Sequence, residues 1–247
     1  SSGNCAFLRA NGLNILIDAG VTASRISKAL SPIGVSLDDI DAVFITHEHG
    51  DHCRALETFS KYEKMRVFAC EETYELISHH KPATQKLGWT LFTSGQSFKF
   101  KSLSVSTYAV PHDVPTVAYR IDTGRKSFVW MTDLGKPTIL AKEIAKSAQI
   151  LVLESNYCPK MLEKSKRPMS LKSRISGSHG HLSNADAISI LEAIDPDFVE
   201  HIFLAHVSKE CNSVGHIAEL ISPLPEALRG KIEIVCPYDG CKTPYFI

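Results

Sequence analysis

The motif Thr46-His47-Glu48-His49-Gly50-Asp51-His52 is the most informative stretch of this chain, and it directly follows the apolar run Ala42-Val43-Phe44-Ile45. Residues two apart on an extended chain face the same side, so His47 and His49 are placed to share one metal ion. As the chain turns toward a helix, Asp51 and His52 are placed to face a second ion. Imidazole and carboxylate donors without a thiolate predict zinc, manganese or iron as the divalent ion.

Each ion needs further ligands, and three candidates follow predicted strands elsewhere in the chain. His112, Asp133 and His206 come after the runs Tyr108-Ala109-Val110, Val129-Trp130-Met131 and Phe203-Leu204-Ala205, respectively. Strand ends deliver functional side chains to a common edge of a scaffold. Asp18 ends the run Leu16-Ile17 in the same way, and we expect it to accept the N–H of a liganding histidine.

The pattern of apolar runs predicts one mixed α/β domain over residues 1–247, with β-rich halves that each carry helices. Helical spacing separates several of the runs. The predicted strands are Leu13–Ile17, Ala42–Thr46, Val67–Ala69, Leu103–Val110, Val117–Ile121, Phe128–Met131, Ile150–Leu153, Ile202–Leu204 and Ile232–Val235.

Composition excludes several classes of protein. The 27 basic residues balance the 27 acidic ones, so no overall field draws the chain to nucleic acid or to a membrane surface. No apolar run approaches the roughly 20 residues that a membrane-spanning helix needs. The seven cysteines include no Cys-x-x-Cys pair, which argues against a disulfide framework and predicts a reducing, cytoplasmic location. Nothing in the sequence indicates an oligomeric state.

The stretch from Tyr157 to His181 lacks a clear period, and we expect a long functional loop or a short helix plus loop. Its basic residues, Lys160, Lys164, Lys166, Arg167, Lys172 and Arg174, face one acid, Glu163. Such a local excess is suited to a nucleic-acid backbone, with Lys172 and Arg174 as predicted substrate contacts. His181 lies in a Gly-rich loop, where it is predicted to bind a phosphate or to protonate a leaving oxygen. A rival interpretation makes His181 the metal ligand in place of His206.

The H-x-H-x-D-H signature at residues 47–52 resembles that of the metallo-β-lactamase-fold hydrolases. More narrowly, the chain is similar to their bacterial WalJ (YycJ-like) branch of DNA exonucleases. The stretches that carry this similarity are Ser2–Cys5, Leu16–Gly20, Thr46–His52, Pro111–Asp113, Thr132–Gly135, Leu153–Asn156, Leu171–Ile175, Gly180–Asn184 and Leu204–Ser208. The chain departs from the branch at Tyr157-Cys158 and at Arg167, which bears on substrate detail and not on the metal ligands.

The resemblance implies an αββα four-layer sandwich, two divalent metal ions (Zn²⁺, Mn²⁺ or Fe²⁺) and 5′-to-3′ exonuclease activity on DNA. The implied ligands are His47, His49 and His112 on one ion, Asp51, His52 and His206 on the other, and Asp133 bridging both.

The hypothesis is hydrolysis of a phosphodiester by a hydroxide that two metal ions activate, with Asp51 or Asp133 orienting it. His181 assists, and Asn156 is predicted to contact the substrate. Because fold does not fix substrate, the same site suits a small-molecule hydrolase acting on a thioester, a lactone or a cyclic phosphodiester. A metal-binding module without catalysis is a third reading. The basic stretch and the His181 loop favour the nuclease.

Overall fold

The computed structural model describes residues 3–237, which fall into two compact units, each built around one β-sheet. The first unit holds the chain up to Gln96 together with Val114–Val117. The second unit holds Ser97–Asp113 and residues 118–237. The predicted single domain over 1–247 stays a prediction, and its last ten residues lie outside the described part of the chain.

The sheet of the first unit has five strands in the order β1-β2-β3-β4-β5. Their bounds are Ala6–Ala10, Leu13–Ile17, Ala42–Phe44, Arg66–Cys70 and Gly88–Phe92. Strands β1 and β2 form an antiparallel hairpin, and Asn11 and Gly12 at its turn both have positive φ, which is typical of a type I′ turn. The remaining neighbours pair in parallel, and every residue of β3 is buried.

Helices follow the strands of the first unit: α1 (Ala23–Leu30), α2 (Gly50–Cys53), α3 (Leu56–Phe59) and α4 (Glu71–His80). Helix α1 shows why these segments are helical. The Thr22 hydroxyl accepts the Arg25 N–H at the helix start, and Ala23, Ile26 and Leu30 bury one face at helical spacing. These side chains join a core that also contains Leu56.

The sheet of the second unit has seven strands in the order β12-β11-β10-β9-β8-β7-β6. In chain order, β6 to β12 are Ser97–Phe100, Leu103–Ala109, Val117–Asp122, Ser127–Met131, Ile150–Glu154, His201–Ala205 and Ile232–Ile234. Strands β9 to β12 pair in parallel. Both β9 and β10 are buried along their whole length, as parallel strands covered on both faces are.

The helices of the second unit are α5 (Ile139–Lys146), α6 (Pro159–Lys164), α7 (Met169–Ser176), α8 (Asn184–Leu191), α9 (Val214–Ile221) and α10 (Glu226–Arg229). Helices α6 and α7 occupy the stretch for which a loop, or one short helix plus a loop, was predicted, so that prediction underestimated the helical content. In the part of the chain that the structure describes, no helix has the length and apolar character needed to cross a membrane.

All nine predicted strands are present, most with ends one or two residues from the predicted ones. The functional candidates lie where expected. His47 follows β3, Asp133 follows β9, and His206 follows β11, while Glu154 is the last residue of β10. In a parallel sheet these ends share one edge, so the topology itself brings the last three together.

Candidate metal centre

Four of the predicted metal ligands, His47, His49, Asp51 and His52, lie together in the first unit. The His47 and His52 side chains are completely buried, and their ring centroids are 4.1 Å apart. The His47 Nε2 and His49 Nδ1 atoms are 3.0 Å apart. Three imidazoles therefore converge on one small volume at the end of β3.

Asp18 holds this group from the end of β2. Its Oδ2 accepts the Nδ1–H of His52 at 2.7 Å, and its Oδ1 accepts the backbone N–H of Thr46 at 2.9 Å. Burial raises the pKa of Asp18, while the contacts with His52 and Thr46 oppose that rise. The structure thus brings Asp18 and His52 together as expected, and the role of Asp18 beside a metal ion stays a prediction.

Because the Nδ1–H of His52 donates a hydrogen bond to Asp18, the Nε2 atom of that ring carries the lone pair. The side-chain amide of Asn4 lies 2.9 Å from this atom. Asn4 also donates its backbone N–H to the Asp51 carbonyl at 2.7 Å. Sequence reasoning did not assign a role to Asn4, although it lies in one of the stretches that carry the family resemblance.

Gly20 allows the chain after β2 to pass close to residues 47–52, the segment that contains four of the predicted ligands. A Cβ built on Gly20 would lie 1.5 Å from the Asp51 carbonyl oxygen, so a larger residue forces the two segments apart. The neighbouring Ala19 donates its N–H to the His52 carbonyl at 2.7 Å. Close packing and backbone hydrogen bonds therefore hold residues 47–52 in place.

A second group, Asp133, Glu154, His181 and His206, lies in the second unit. Each residue offers one ligand atom, and these atoms all lie within 4.8 Å of one another. The Asp133 carboxylate is 3.4 Å from His181 Nδ1 and 3.5 Å from His206 Nδ1. We call these four residues the Glu154 cluster.

Glu154 is the centre of this cluster, and the sequence alone left open whether it lines a pocket or caps a strand. Its Oε1 accepts the Nδ1–H groups of His206 at 2.7 Å and of His181 at 2.9 Å. Its Oε2 accepts the backbone N–H groups of Leu134 and Leu182, both at 3.1 Å. Complete burial by itself raises the pKa of Glu154, but the two imidazoles and their hydrogen bonds outweigh burial and hold the pKa below its usual range.

His112 lies beside the cluster in the same unit, with its Nε2 3.9 Å from the Asp133 carboxylate. Its Nδ1 donates to the Gly180 carbonyl at 2.9 Å, since a carbonyl only accepts, and this fixes the lone pair on Nε2. Burial lowers the pKa of His112, which favours the neutral imidazole that a metal ion requires. A Cβ on Gly180 would lie 2.2 Å from the Arg174 and Ile175 carbonyl oxygens, so the loop requires glycine there.

Backbone conformation singles out the same positions. Asp18, Asp133 and His206 have φ values of 58°, 59° and 56°. Non-glycine residues enter this left-handed region at a cost of about 1 kcal/mol or more, and such strain clusters at functional sites. Each of the three follows a buried strand and carries a side chain that contacts another site residue.

The predicted substrate contacts have varied surroundings. Asn156 is buried, and its side-chain amide donates to the His206 carbonyl at 2.8 Å. Lys172 is partly exposed, and its ammonium donates to the Glu163 carbonyl. Arg174 is exposed and pairs with Asp113, the residue after His112. Their contact with a substrate stays a prediction.

The donor chemistry fits divalent ions. Both groups offer imidazole nitrogens and carboxylate oxygens, the set that suits zinc, manganese or iron. The rings of His52, His112 and His206 each have Nδ1 held by a protein acceptor, which leaves the Nε2 lone pair available to a metal ion. The distribution of the predicted ligands over two ions stays a prediction.

Comparison with known proteins adds a family. The model of the β-lactamase superfamily domain matches residues 13–206. An exodeoxyribonuclease WalJ of Streptococcus pneumoniae is 30% identical over 226 residues, which cover 89% of this chain and 82% of that protein. An exodeoxyribonuclease YycJ of Bacillus anthracis is 28% identical over 216 residues, which cover 86% and 81%. The metallo-β-lactamase-fold protein YhfI of Bacillus subtilis superposes with a TM-score of 0.71 at 16% identity, covering 95% of this chain and 89% of that one.

Proposed function

Because the chain belongs to the β-lactamase superfamily, it is a hydrolase of the metallo-β-lactamase fold, and we propose that it is a metal-dependent 5′-to-3′ DNA exonuclease. The predicted family and fold class are confirmed by the match over residues 13–206 and by the structural neighbour. The proposal goes further in naming the reaction, the substrate and the cofactor. The names of the two bacterial relatives support the reaction and the substrate.

The observation that carries the proposal is the Glu154 cluster. It combines buried carboxylates with imidazoles at one edge of a parallel sheet, where two of its members also adopt a strained backbone. A purely structural role does not require this combination, because buried charge is costly unless it serves a partner. The cluster is therefore suited to hold a cation and an anionic substrate next to each other.

We propose that His47, His49, Asp51, His52, His112, Asp133 and His206 hold two divalent ions, as the family resemblance implies. When bound, such ions supply Lewis-acid activation of water and neutralise charge on a phosphodiester. Asp51 or Asp133 is the carboxylate that orients the attacking water. Asp51 is partly exposed, whereas Asp133 is buried within the Glu154 cluster.

His181 is the proposed proton donor to the leaving oxygen. Its Nδ1–H is held by Glu154, and its side chain is 23% exposed, so the ring is fixed through Nδ1 and is partly accessible to a substrate. The hydrogen bond from Nδ1 to the Glu154 carboxylate fixes the orientation of the ring. Attack of water on phosphorus breaks the P–O3′ bond, and the departing 3′ oxygen becomes a hydroxyl by taking a proton, which His181 supplies in this proposal.

The experiment tests metal-loaded protein on duplex DNA labelled at the 5′ or the 3′ end. We expect progressive release of the 5′ label, and its loss in His49→Ala. A His79→Ala variant is the matched control, because His79 is an exposed histidine on α4 and is expected to leave activity unchanged. Release of the 3′ label first overturns the polarity. If the protein hydrolyses a thioester, a lactone or a cyclic phosphodiester but does not cleave DNA, the nuclease proposal is wrong. The function is then that of a small-molecule hydrolase.

A further inference from the structure

The two helices α6 and α7 with their connection, residues 159–176, form a basic hairpin in the second unit. This basic hairpin carries six cationic side chains and one acidic side chain, Glu163, whereas basic and acidic residues balance over the whole chain. The excess is therefore local and does not reflect a generally basic protein.

The six cations fall into two groups by their contacts. Arg167 pairs with Glu210 at 3.0 Å, Arg174 pairs with Asp113, and the Lys172 ammonium donates to the Glu163 carbonyl. These three side chains have protein acceptors that tie the basic hairpin to itself and to its surroundings. Their contacts are explained by the fold.

Lys160, Lys164 and Lys166 form the second group, which we call the lysine triad. All three are exposed, and within residues 3–237 none makes a side-chain hydrogen bond or an ion pair. Lys160 and Lys164 are four residues apart on α6 and lie on the same helix face. Like charges at this spacing repel each other, so the fold gains nothing from placing them together.

The lysine triad stands on a fixed support. Leu162 from α6 and Ile175 from α7 are buried in a small core with Tyr157 and Cys211. The chain then passes from α7 through the Gly180 contact to His181, whose Nδ1–H is held by Glu154. The triad and the Glu154 cluster therefore belong to one unit, and the packing of α6 and α7 supports the segment that carries Lys160, Lys164 and Lys166.

We propose that Lys160, Lys164 and Lys166 bind backbone phosphates of the DNA strand outside the position of cleavage. This inference rests on the proposed nuclease function and narrows its substrate to a polynucleotide. Ammonium groups bind phosphates as point charges and tolerate any sequence. A mononucleotide or a cyclic dinucleotide has too few phosphates to engage the Glu154 cluster and three further cations at once.

The test compares the variant K160Q/K164Q/K166Q with the control K28Q/K61Q/K64Q. The control removes the same charge from three exposed lysines of the first unit. Glutamine removes the charge, stays polar and has a helix propensity similar to that of lysine. Binding of duplex DNA by the metal-free protein and kcat/KM for DNA with metal are measured between 50 and 200 mM KCl, together with hydrolysis of bis(p-nitrophenyl) phosphate.

Each phosphate contact contributes about −0.9 to the slope of log K against log[salt], so losing three makes the slope less steep by about 2.7. Over this salt range, wild type and control then lose about 40-fold more affinity than the triad variant. Hydrolysis of the small diester stays unchanged in both variants.

Two failures are distinguishable. If wild type cleaves DNA but the triad variant keeps the control's salt slope, the triad has no phosphate contacts and the inference is wrong. If wild type with metal cleaves the small diester but neither binds nor cleaves DNA, the proposed nuclease function fails and the inference fails with it.

Discussion

Replacing Glu154 with Gln gives the sharpest test of how the site is held together. Each carboxylate oxygen of Glu154 accepts two donors: Oε1 accepts two imidazole N–H groups, and Oε2 accepts two backbone N–H groups. As long as His181 and His206 keep their protons on Nδ1, the NH₂ group of Gln faces one of these donor pairs in either orientation. Two hydrogen bonds are lost and two buried donors are left without an acceptor.

The cost follows from these contacts. A buried donor without a partner costs about 1–3 kcal/mol, so two predict a loss of about 2–6 kcal/mol in the free energy of unfolding. The assay is urea denaturation of metal-free protein at pH 7, followed by fluorescence and by circular dichroism. The control is Glu163→Gln, since the Glu163 side chain is exposed on α6 and its removal is expected to cost less than about 0.5 kcal/mol. A Glu154→Gln loss below about 1 kcal/mol contradicts this expectation, because the imidazoles then accept from the amide through Nδ1 or the four contacts contribute no net stability.

Three further predictions follow from the same geometry. Asp133→Asn is expected to abolish turnover and lower the bound metal measured by mass spectrometry, while the urea midpoint of the metal-free protein stays near wild type; retained turnover contradicts the role of Asp133. Gly180→Ala places a Cβ against two carbonyl oxygens, so we expect the free energy of unfolding to fall by about 2 kcal/mol or more. The control Gly215→Ala on α9 has open space around the new Cβ, and we expect its free energy of unfolding to rise by up to about 1 kcal/mol. Asn212→Ala removes the amide that donates to the Ser155 and Asn156 carbonyls at 3.0 and 2.9 Å, so we expect a loss of about 2–4 kcal/mol in thermal or urea denaturation; a midpoint equal to wild type contradicts that network.

The fold was largely predictable because its buried strands are short, apolar and β-branched. The strands that sequence reasoning missed are β1, β5 and β6, which are partly exposed and carry polar residues such as Arg9 and Lys99. Their pairing with neighbours, and not their composition, makes them strands.

Helices α6 and α7 were obscured by their composition. Within them only Leu162 and Ile175 are buried, so no apolar period is visible over six to eight residues. Pro159 marks the start of α6 in the first turn, where proline is tolerated, and this signal was available in the sequence. Packing of Leu162 and Ile175 against Tyr157 and Cys211 stabilises the two helices.

The candidate site was predictable where residues cluster in sequence and less so where they meet through the fold. His47, His49 and His52 lie within six residues, and the structure brings their rings together. Glu154 was left undecided between a pocket residue and a strand cap because a lone acid at a strand end is an ordinary feature. The same rule that selected Asp18 and Asp133, a polar residue ending a buried strand, applies equally to Glu154 and is the signal that identifies it.

We propose that this protein cleaves DNA by means of bound divalent metal ions. One titration tests this dependence on metal directly. Protein stripped of metal with a chelator is mixed with 5′-labelled duplex DNA, and Mn²⁺ or Zn²⁺ is added stepwise while label release and bound metal are measured together. We expect no label release from the stripped protein. As metal is added, the rate of label release rises and levels off near two bound ions per chain. Full activity of the stripped protein, or two bound ions without cleavage of DNA, contradicts this proposal.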